Sequence, residues 1–396
     1  MRVLTIIGKK ISRNLLQRIE EKLVEITEGS TKILVPEKSL KQKAPPKEPA
    51  FFNPVAAMNR DFSILAYSAF WENFDNPLLF LDGLTGLGAR SLRVAKEIPN
   101  VEKVIGNDIN SEALKIAQNS AALNKISNFE VSENEVCHFF GKYSKKEKRG
   151  SIVDVDPFGS PVKYFDCAIR ATMHNGLLSV TATDLQVLHG LTKKACKRKY
   201  HGTPIKTEYS NEIAIRLILG CLDIVARRLD IQIIPQFVEN DMHYYRIYVK
   251  ILNRIDQDEH QGYITHCRSC GNRNCTTNQK KVCEVCNSQL EIAGPLWIGQ
   301  MFNKKFIIDM MRQIPKFVVK KKCMSILEKS ALEAEMPPTY YTLDEIASKM
   351  QRSPLKMKNA IKIINEAGFL SSPTSLNPTG FRTNCRIDNI IKLFEN

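Results

Sequence analysis

The chain has 396 residues, 43% of them hydrophobic, and its 57 Lys and Arg against 42 Asp and Glu give a net charge of +15. That length allows two or three domains with ample core, and the basic excess suits a polyanionic partner and disfavours mimicry of an acidic protein. No apolar run approaches the ~20 residues of a membrane-spanning helix, and an odd eleven cysteines without a secretory signal argue against a secreted disulfide scaffold.

The first twenty-odd residues set Arg2, Lys9, Lys10, Arg13 and Arg18 among Ile, Leu and Ser. Glu20 and Glu21 interrupt this transit-peptide character, and an amphipathic surface helix is expected. Lys38 to Pro49, with Pro45-Pro46 and four lysines, reads as an exposed connection. Next, Pro77 to Leu81 runs as a strand into Asp82-Gly83-Leu84-Thr85-Gly86-Leu87-Gly88-Ala89-Arg90-Ser91, and Leu92 to Ile98 continues with helical spacing. Glycines there let the backbone pass close to a ligand, and the helix amino terminus favours polar or anionic groups. Ser91 stands where the dinucleotide fingerprint requires its third glycine, so that motif fails. A glycine loop opened by an acid is more typical of nucleoside-methionine cofactors.

The strand Val101 to Ile105 ends in Gly106-Asn107-Asp108, 26 residues after Asp82, where a carboxylate can accept from both hydroxyls of a ribose. A helix beginning near Ser111 precedes the strand Phe129 to Val131, whose exit, Ser132 to Glu135, is where an adenine would be read. The run Ile152-Val153-Asp154-Val155 then ends in Asp156-Pro157-Phe158-Gly159-Ser160-Pro161. Proline stiffens that turn and removes a donor, Asp156 and nearby carbonyls can accept from an exocyclic amine, and Phe158 offers a face for a base. The arrangement suits methyl transfer to a nucleobase amine. A further strand, Gly176 to Thr183, ends in Asp184, read as support for the site. Four strand exits along one edge predict an α/β fold with a doubly wound, Rossmann-like parallel sheet.

Two basic runs follow, Lys193 to Tyr200 and Lys316 to Lys322, each either a phosphate contact or a solvated helix face. Asn211 to Ala226 is a strongly apolar helix, Tyr244 to Val249 a late strand, and a domain change is expected between residues 240 and 260. Cys267-x2-Cys270 and Cys283-x2-Cys286, twelve residues apart, have the spacing at which two thiolate turns close on a structural zinc ion. Cys275 and His266 are alternative ligands, and the other six cysteines stand singly. In the chiefly helical tail, Thr342 caps a helix with Glu345 three residues on. A second helix from Leu355 to Asn365 and the segment Pro373 to Thr383 complete a winged helix-turn-helix pattern, a unit that binds nucleic acid or protein.

Taken together, Phe51-Phe52-Asn53-Pro54 with Met58-Asn59-Arg60-Asp61, the Asp82 to Arg90 loop, Asn107-Asp108, Asp156 to Pro161, Thr181 to Asp184, Gly294 to Gly299 and Asn377 to Thr383 resemble the tRNA (guanine-26) dimethyltransferases. The resemblance runs from about Glu28 almost to the carboxyl end; Val55 departs from it where the family commonly has arginine. It implies S-adenosyl-L-methionine as donor, tRNA as partner, and two successive methyl transfers to the exocyclic amine of guanine 26. It further implies Asp156, Pro157 and Phe158 as the catalytic segment, and Arg60, Asp82, Arg90, Asp108 and Asn134 or Glu135 as cofactor contacts. The domains expected are an extension and linker (1–50), a methyltransferase domain (51–255), and a tRNA-binding domain (256–396) with a zinc module (263–290) and a winged region (338–390). No obligate protein partner or membrane association is expected. The location expected is cytoplasmic, with nuclear or mitochondrial pools if the source is eukaryotic.

Overall fold

The computed structural model describes residues 22–42, 44–72, 74, 77–241, 243–255 and 260–395. The helix expected over the first twenty-odd residues lies outside them. The described chain opens with β1 (Leu23–Glu28) and β2 (Thr31–Pro36), an antiparallel hairpin in which Glu28 pairs with Thr31. Gly29, at φ 60°, turns it. The hairpin, within the stretch read as extension and linker, is packed rather than free, because Ile33 and Val35 are fully buried and cluster with Leu87, Ala113 and Ile116. The stretch read as an exposed connection begins within a short helix, Glu37–Lys41.

Five parallel strands form the centre: β3 (Leu79–Asp82), β4 (Lys103–Asp108), β5 (Phe129–Glu133), β6 (Gly150–Val155) and β7 (Thr172–Ala182). Two more, β8 (Gln232–Asp241) and β9 (Tyr244–Leu252), form an antiparallel hairpin that completes a seven-stranded mixed sheet in the order β5-β4-β3-β6-β7-β9-β8. The order reverses direction at β3, which is where an open α/β sheet leaves a crevice at its carboxyl edge. Register brings Asp82 beside Gly106 on one side and beside Asp154 on the other, so the exits of β3, β4 and β6 lie level.

The strands are apolar because both faces are covered. One cover is the helix Ala57–Trp71, whose Phe62, Ile64, Leu65, Ala66 and Tyr67 are all fully buried. Burial on every side follows because the helix Lys304–Gln313 packs across it from outside. The C-terminal region does not begin as a separate core. A small sheet of β10 (Gln261–His266), β11 (Arg273–Thr276) and β12 (Glu291–Trp297) packs on the helix Ser210–Arg227, and Ile264, Leu296, Trp297, Phe306 and Met310 join the core of the main sheet. Beyond residue 340, the winged arrangement has its own apolar cluster. It consists of β13 (Tyr341–Thr342), β14 (Ser371–Pro373) and β15 (Gly380–Thr383) with the helices Leu343–Met350, Met357–Glu366 and Ile387–Glu395. Thr342 accepts from Glu345 N–H at 3.1 Å and caps the first of these helices.

Candidate active site at the carboxyl edge of the sheet

The glycine loop is closed by the residues that flank it. Asp82 is buried, its Oδ1 accepting from Leu84 N–H at 3.1 Å and its Oδ2 from the Ser91 hydroxyl at 2.6 Å. Burial, reinforced by the charge of Asp154, lifts the Asp82 carboxyl to about 7. Gly86 and Gly88 have φ of 55° and 83°, the left-handed region that glycine adopts without strain. Gly86 donates its N–H to Asp108 Oδ2 at 2.8 Å, and Asp108 Oδ1 accepts from Asn110 N–H at 2.9 Å. Asp108 thus braces the loop while each oxygen keeps lone-pair capacity. Space remains above the loop, since a Cβ added to Gly86 would meet only the Phe51 carbonyl within 4 Å, at 3.9 Å.

At the exit of β5, the Asn134 carbonyl accepts from Asn107 Nδ2 at 3.0 Å, and its side chain reaches Ser132 and Lys142. The Glu135 carboxylate caps the helix Val136–Lys142, accepting from the N–H groups of Cys137 and His138 at 2.8 and 3.0 Å.

Asp156 emerges from β6 with its side chain 32% exposed, and its Oδ2 accepts from Arg90 Nη2 at 2.6 Å. The same guanidinium donates to Asp154 Oδ2 at 2.7 Å and to Asn59 Oδ1. Asp154, fully buried, also accepts from Arg246 Nη2 at 2.8 Å and from the Tyr67 hydroxyl at 2.7 Å. Burial alone would raise its pKa; the charges of Arg246 and Arg90 overcome that and hold it at about 2. Arg246 in turn donates to Thr181 Oγ1 at 2.6 Å and to the Tyr248 hydroxyl at 2.9 Å. Two arginines sharing one buried carboxylate therefore fix Arg90, and Arg90 fixes Asp156.

The turn that follows is also pinned. Pro157 is buried, whereas Phe158 is 61% exposed and meets Phe51 edge-on, with ring centroids 4.8 Å apart. Gly159 N–H donates to Thr183 Oγ1 at 2.7 Å, and Thr183 N–H returns a bond to the Gly159 carbonyl at 2.9 Å. The Ser160 hydroxyl donates to Tyr200 Oη at 3.0 Å, and Tyr200 donates to Asp184 Oδ1 at 2.6 Å. Lys199 reaches the other Asp184 oxygen at 3.1 Å. Asp184 consequently fastens the basic helix Lys193–Tyr200 to the turn, while Lys193, Lys194, Lys197 and Arg198 face solvent.

The two arginines expected at the cofactor carry other partners. Arg60 forms a fork with Glu28 at 2.6 and 2.7 Å and donates to the Asn53 carbonyl at 3.1 Å; Arg90 is engaged as above. Sequence reading gave no role to Asn59, Tyr67, Asp154 or Arg246. A signal existed for two of them, because Asp154 and Arg246 are charges inside apolar strand runs, where burial demands a counter-charge.

The four spaced cysteines converge: the Sγ atoms of Cys267, Cys270, Cys283 and Cys286 all lie within 4.8 Å of one another. Cys267–Cys286 and Cys270–Cys283 are separated by 3.4 and 3.6 Å, close to the ~3.8 Å edge of a tetrahedron with ~2.3 Å zinc–sulfur bonds. Cys275 instead lies on β11 against the core, and His266 Nδ1 faces the Tyr209 hydroxyl at 3.2 Å, so neither joins the cluster. One expectation about cysteines needs correction. Cys137 and Cys167, read as singletons, form a disulfide that ties the helix Val136–Lys142 to the helix Phe165–Ala171.

A family model described as N2,N2-dimethylguanosine tRNA methyltransferase matches residues 29–395. The tRNA (guanine(26)-N(2))-dimethyltransferase of Methanosphaera stadtmanae is 32% identical over 384 residues, covering 93% of this chain and 95% of that protein. The enzyme of the same description from Methanothermobacter thermautotrophicus is 31% identical over 377 residues, covering 93% and 97%. Among solved structures, Trm1 from Pyrococcus horikoshii in complex with S-adenosyl-L-methionine superimposes with a TM-score of 0.80 at 26% identity, over 94% of this chain and 99% of that one.

Proposed function

The chain belongs to the N2,N2-dimethylguanosine tRNA methyltransferase family, and from that premise we propose that it transfers two methyl groups in turn from S-adenosyl-L-methionine to the exocyclic amine of guanine 26 in tRNA. The observation that carries this reading is the Asp156 carboxylate, held by Arg90 at a strand exit beside the exposed ring of Phe158.

S-adenosyl-L-methionine, when bound, supplies the electrophilic methyl group. The space above Gly86 and the lone-pair capacity of Asp108 fit its ribose. Asp82 shapes the loop through Leu84 and Ser91. Arg60 and Glu135 act through what they hold, the hairpin carboxylate of Glu28 and the helix start at Val136, and with Asn134 they frame the rest of the cofactor site. Arg90 is a positioning residue for Asp156.

Guanine 26 must leave its stack to reach the site, at a cost of a few kcal/mol that stacking on Phe158 partly offsets. Asp156 accepts from the amine, aims its lone pair at the methyl carbon, and stabilises the positive charge that develops on nitrogen. Strong basicity is unnecessary, since a methylated aminium is very acidic. Pro157 carries no N–H to compete for that carboxylate, and orientation supplies much of the acceleration. The second round requires room for a monomethylated amine beside Asp156.

Cys267, Cys270, Cys283 and Cys286 are assigned to a structural zinc ion, because four thiolates leave no position for a reacting water. Residues 51–255 carry the chemistry in this reading; residues 256–396, with the zinc module at 263–290 and the winged region at 338–390, dock the tRNA. The solvated basic helix Lys193–Tyr200, tied to the Phe158 turn through Asp184, supports phosphate contact beside the site. Among the described residues no helix is long and apolar enough to cross a membrane, and a tRNA substrate fits a cytoplasmic location. Mass spectrometry of nucleosides from unmodified tRNA incubated with the protein and labelled donor tests the reading. Labelled N2,N2-dimethylguanosine at position 26 is expected; label on any other base would refute it.

A further inference from the structure

The segment Lys47 to Asn53 crosses the mouth of the site and is fastened from Pro49 onward. The Pro49 carbonyl accepts from Asn110 Nδ2 at 2.8 Å, two residues past Asp108. Ala50 is fully buried, Phe51 packs edge-on against Phe158, and the Asn53 carbonyl accepts from Arg60 at 3.1 Å. Lys47 precedes these anchors on an exposed stretch, and its ammonium sits over the Phe158 ring, 5.1 Å from the centroid. Among the described residues it has no carboxylate partner. A fixed backbone thus delivers one cation to the aromatic surface on which the target base is read to stack.

Resting on the reading that Phe158 receives the flipped guanine, we propose that Lys47 is a substrate-positioning residue: its ammonium holds a face of the Phe158 ring until the base takes that face, and then engages a phosphate of the same nucleotide. An exposed cation–π contact is weaker than a base–aromatic stack, so the exchange runs toward the base. The anchors at Pro49 and Ala50 hold the lysine backbone near the mouth, and the four-carbon stem lets the ammonium move without displacing them. A phosphate necessarily accompanies the base, and nothing in the exchange requires contact with the cofactor.

The test is steady-state methylation of unmodified tRNA by the full chain, as wild type, Lys47→Gln and Lys47→Arg, across about 50 to 200 mM salt, with cofactor affinity measured by calorimetry. Removing one phosphate contact should raise KM for tRNA by about 3- to 10-fold at low salt and make the log–log salt dependence of kcat/KM shallower by about 0.7 to 0.9. Lys47→Arg should restore most of both, and cofactor affinity should stay within about twofold. An unchanged salt slope in Lys47→Gln, failure of arginine to rescue, or a parallel loss of cofactor affinity would each overturn the proposal. Absence of dimethylguanosine at position 26 with the wild-type protein would instead sink the parent reading, so the two failures are distinguishable.

Discussion

Replacing Arg90 by lysine separates a positioning role from direct service to the cofactor. The arginine fork spans Asp154 and Asp156 and also reaches Asn59. A lysine offers one nitrogen on a narrower head and cannot bridge both carboxylates. Asp154 would keep Arg246 and Tyr67, so the strand core should survive. Asp156, already 32% exposed, would lose its restraint and turn toward water. A charged hydrogen bond contributes about 1.5–3 kcal/mol; with one or two lost, unfolding free energy should fall by about 1.5–6 kcal/mol. If loosening Asp156 costs ~1.4–2.7 kcal/mol in the transition state, the methylation rate falls by about 10- to 100-fold. Single-turnover transfer from labelled donor to tRNA, alongside calorimetric cofactor affinity and a denaturant titration, measures all three quantities. A variant that folds, keeps the wild-type rate with bound cofactor, and loses only cofactor affinity would refute the positioning role and put Arg90 on the cofactor itself.

Asp108→Ala removes a charged acceptor for ribose and the brace on Gly86, so calorimetry should find cofactor affinity lower by about 10- to 100-fold; unchanged affinity would move the ribose contact elsewhere. Protein prepared without chelator should contain about one zinc per chain, and Cys283→Ser should lose the metal and destabilise its module while leaving most cofactor binding intact; metal analysis decides this. Burial lifts Glu239, which faces the hydroxyls of Tyr244 and Tyr248, to about 8 from 4.5. Between those values the folded chain holds more protons than the unfolded one, so this group's contribution to stability falls as pH rises from 4.5 to 8. Glu239→Gln should flatten the pH dependence of thermal unfolding across that window, and an unaltered profile would count against the assigned shift.

Motifs set by local geometry were legible: the glycine turn, the strand exits at Asp82, Asp108 and Asp156, and the paired cysteine turns each follow from residue type and spacing within a short stretch. The partners of Arg60 and Arg90 were not, because Glu28 and Asp154 lie 32 and 64 residues away and only the fold brings them close. Strand β8 escaped notice because Pro235 interrupts its apolar run; it is tolerated at the sheet edge, where the register shifts between Pro235 and Phe237. The N-terminal hairpin carried a signal that the charged neighbourhood obscured, apolar positions alternating on either side of Glu28-Gly29-Ser30. The Cys137–Cys167 disulfide could not be inferred, since two thiols 30 residues apart have no spacing rule.

The assignment of Asp156 as the residue that aims the acceptor amine is tested most directly by Asp156→Asn in single-turnover methylation of unmodified tRNA, read by mass spectrometry of the guanine-26 nucleoside. The variant should slow transfer by at least ~100-fold, with cofactor affinity within a few fold of wild type. Mono- and dimethylguanosine appearing at near wild-type rates would contradict it.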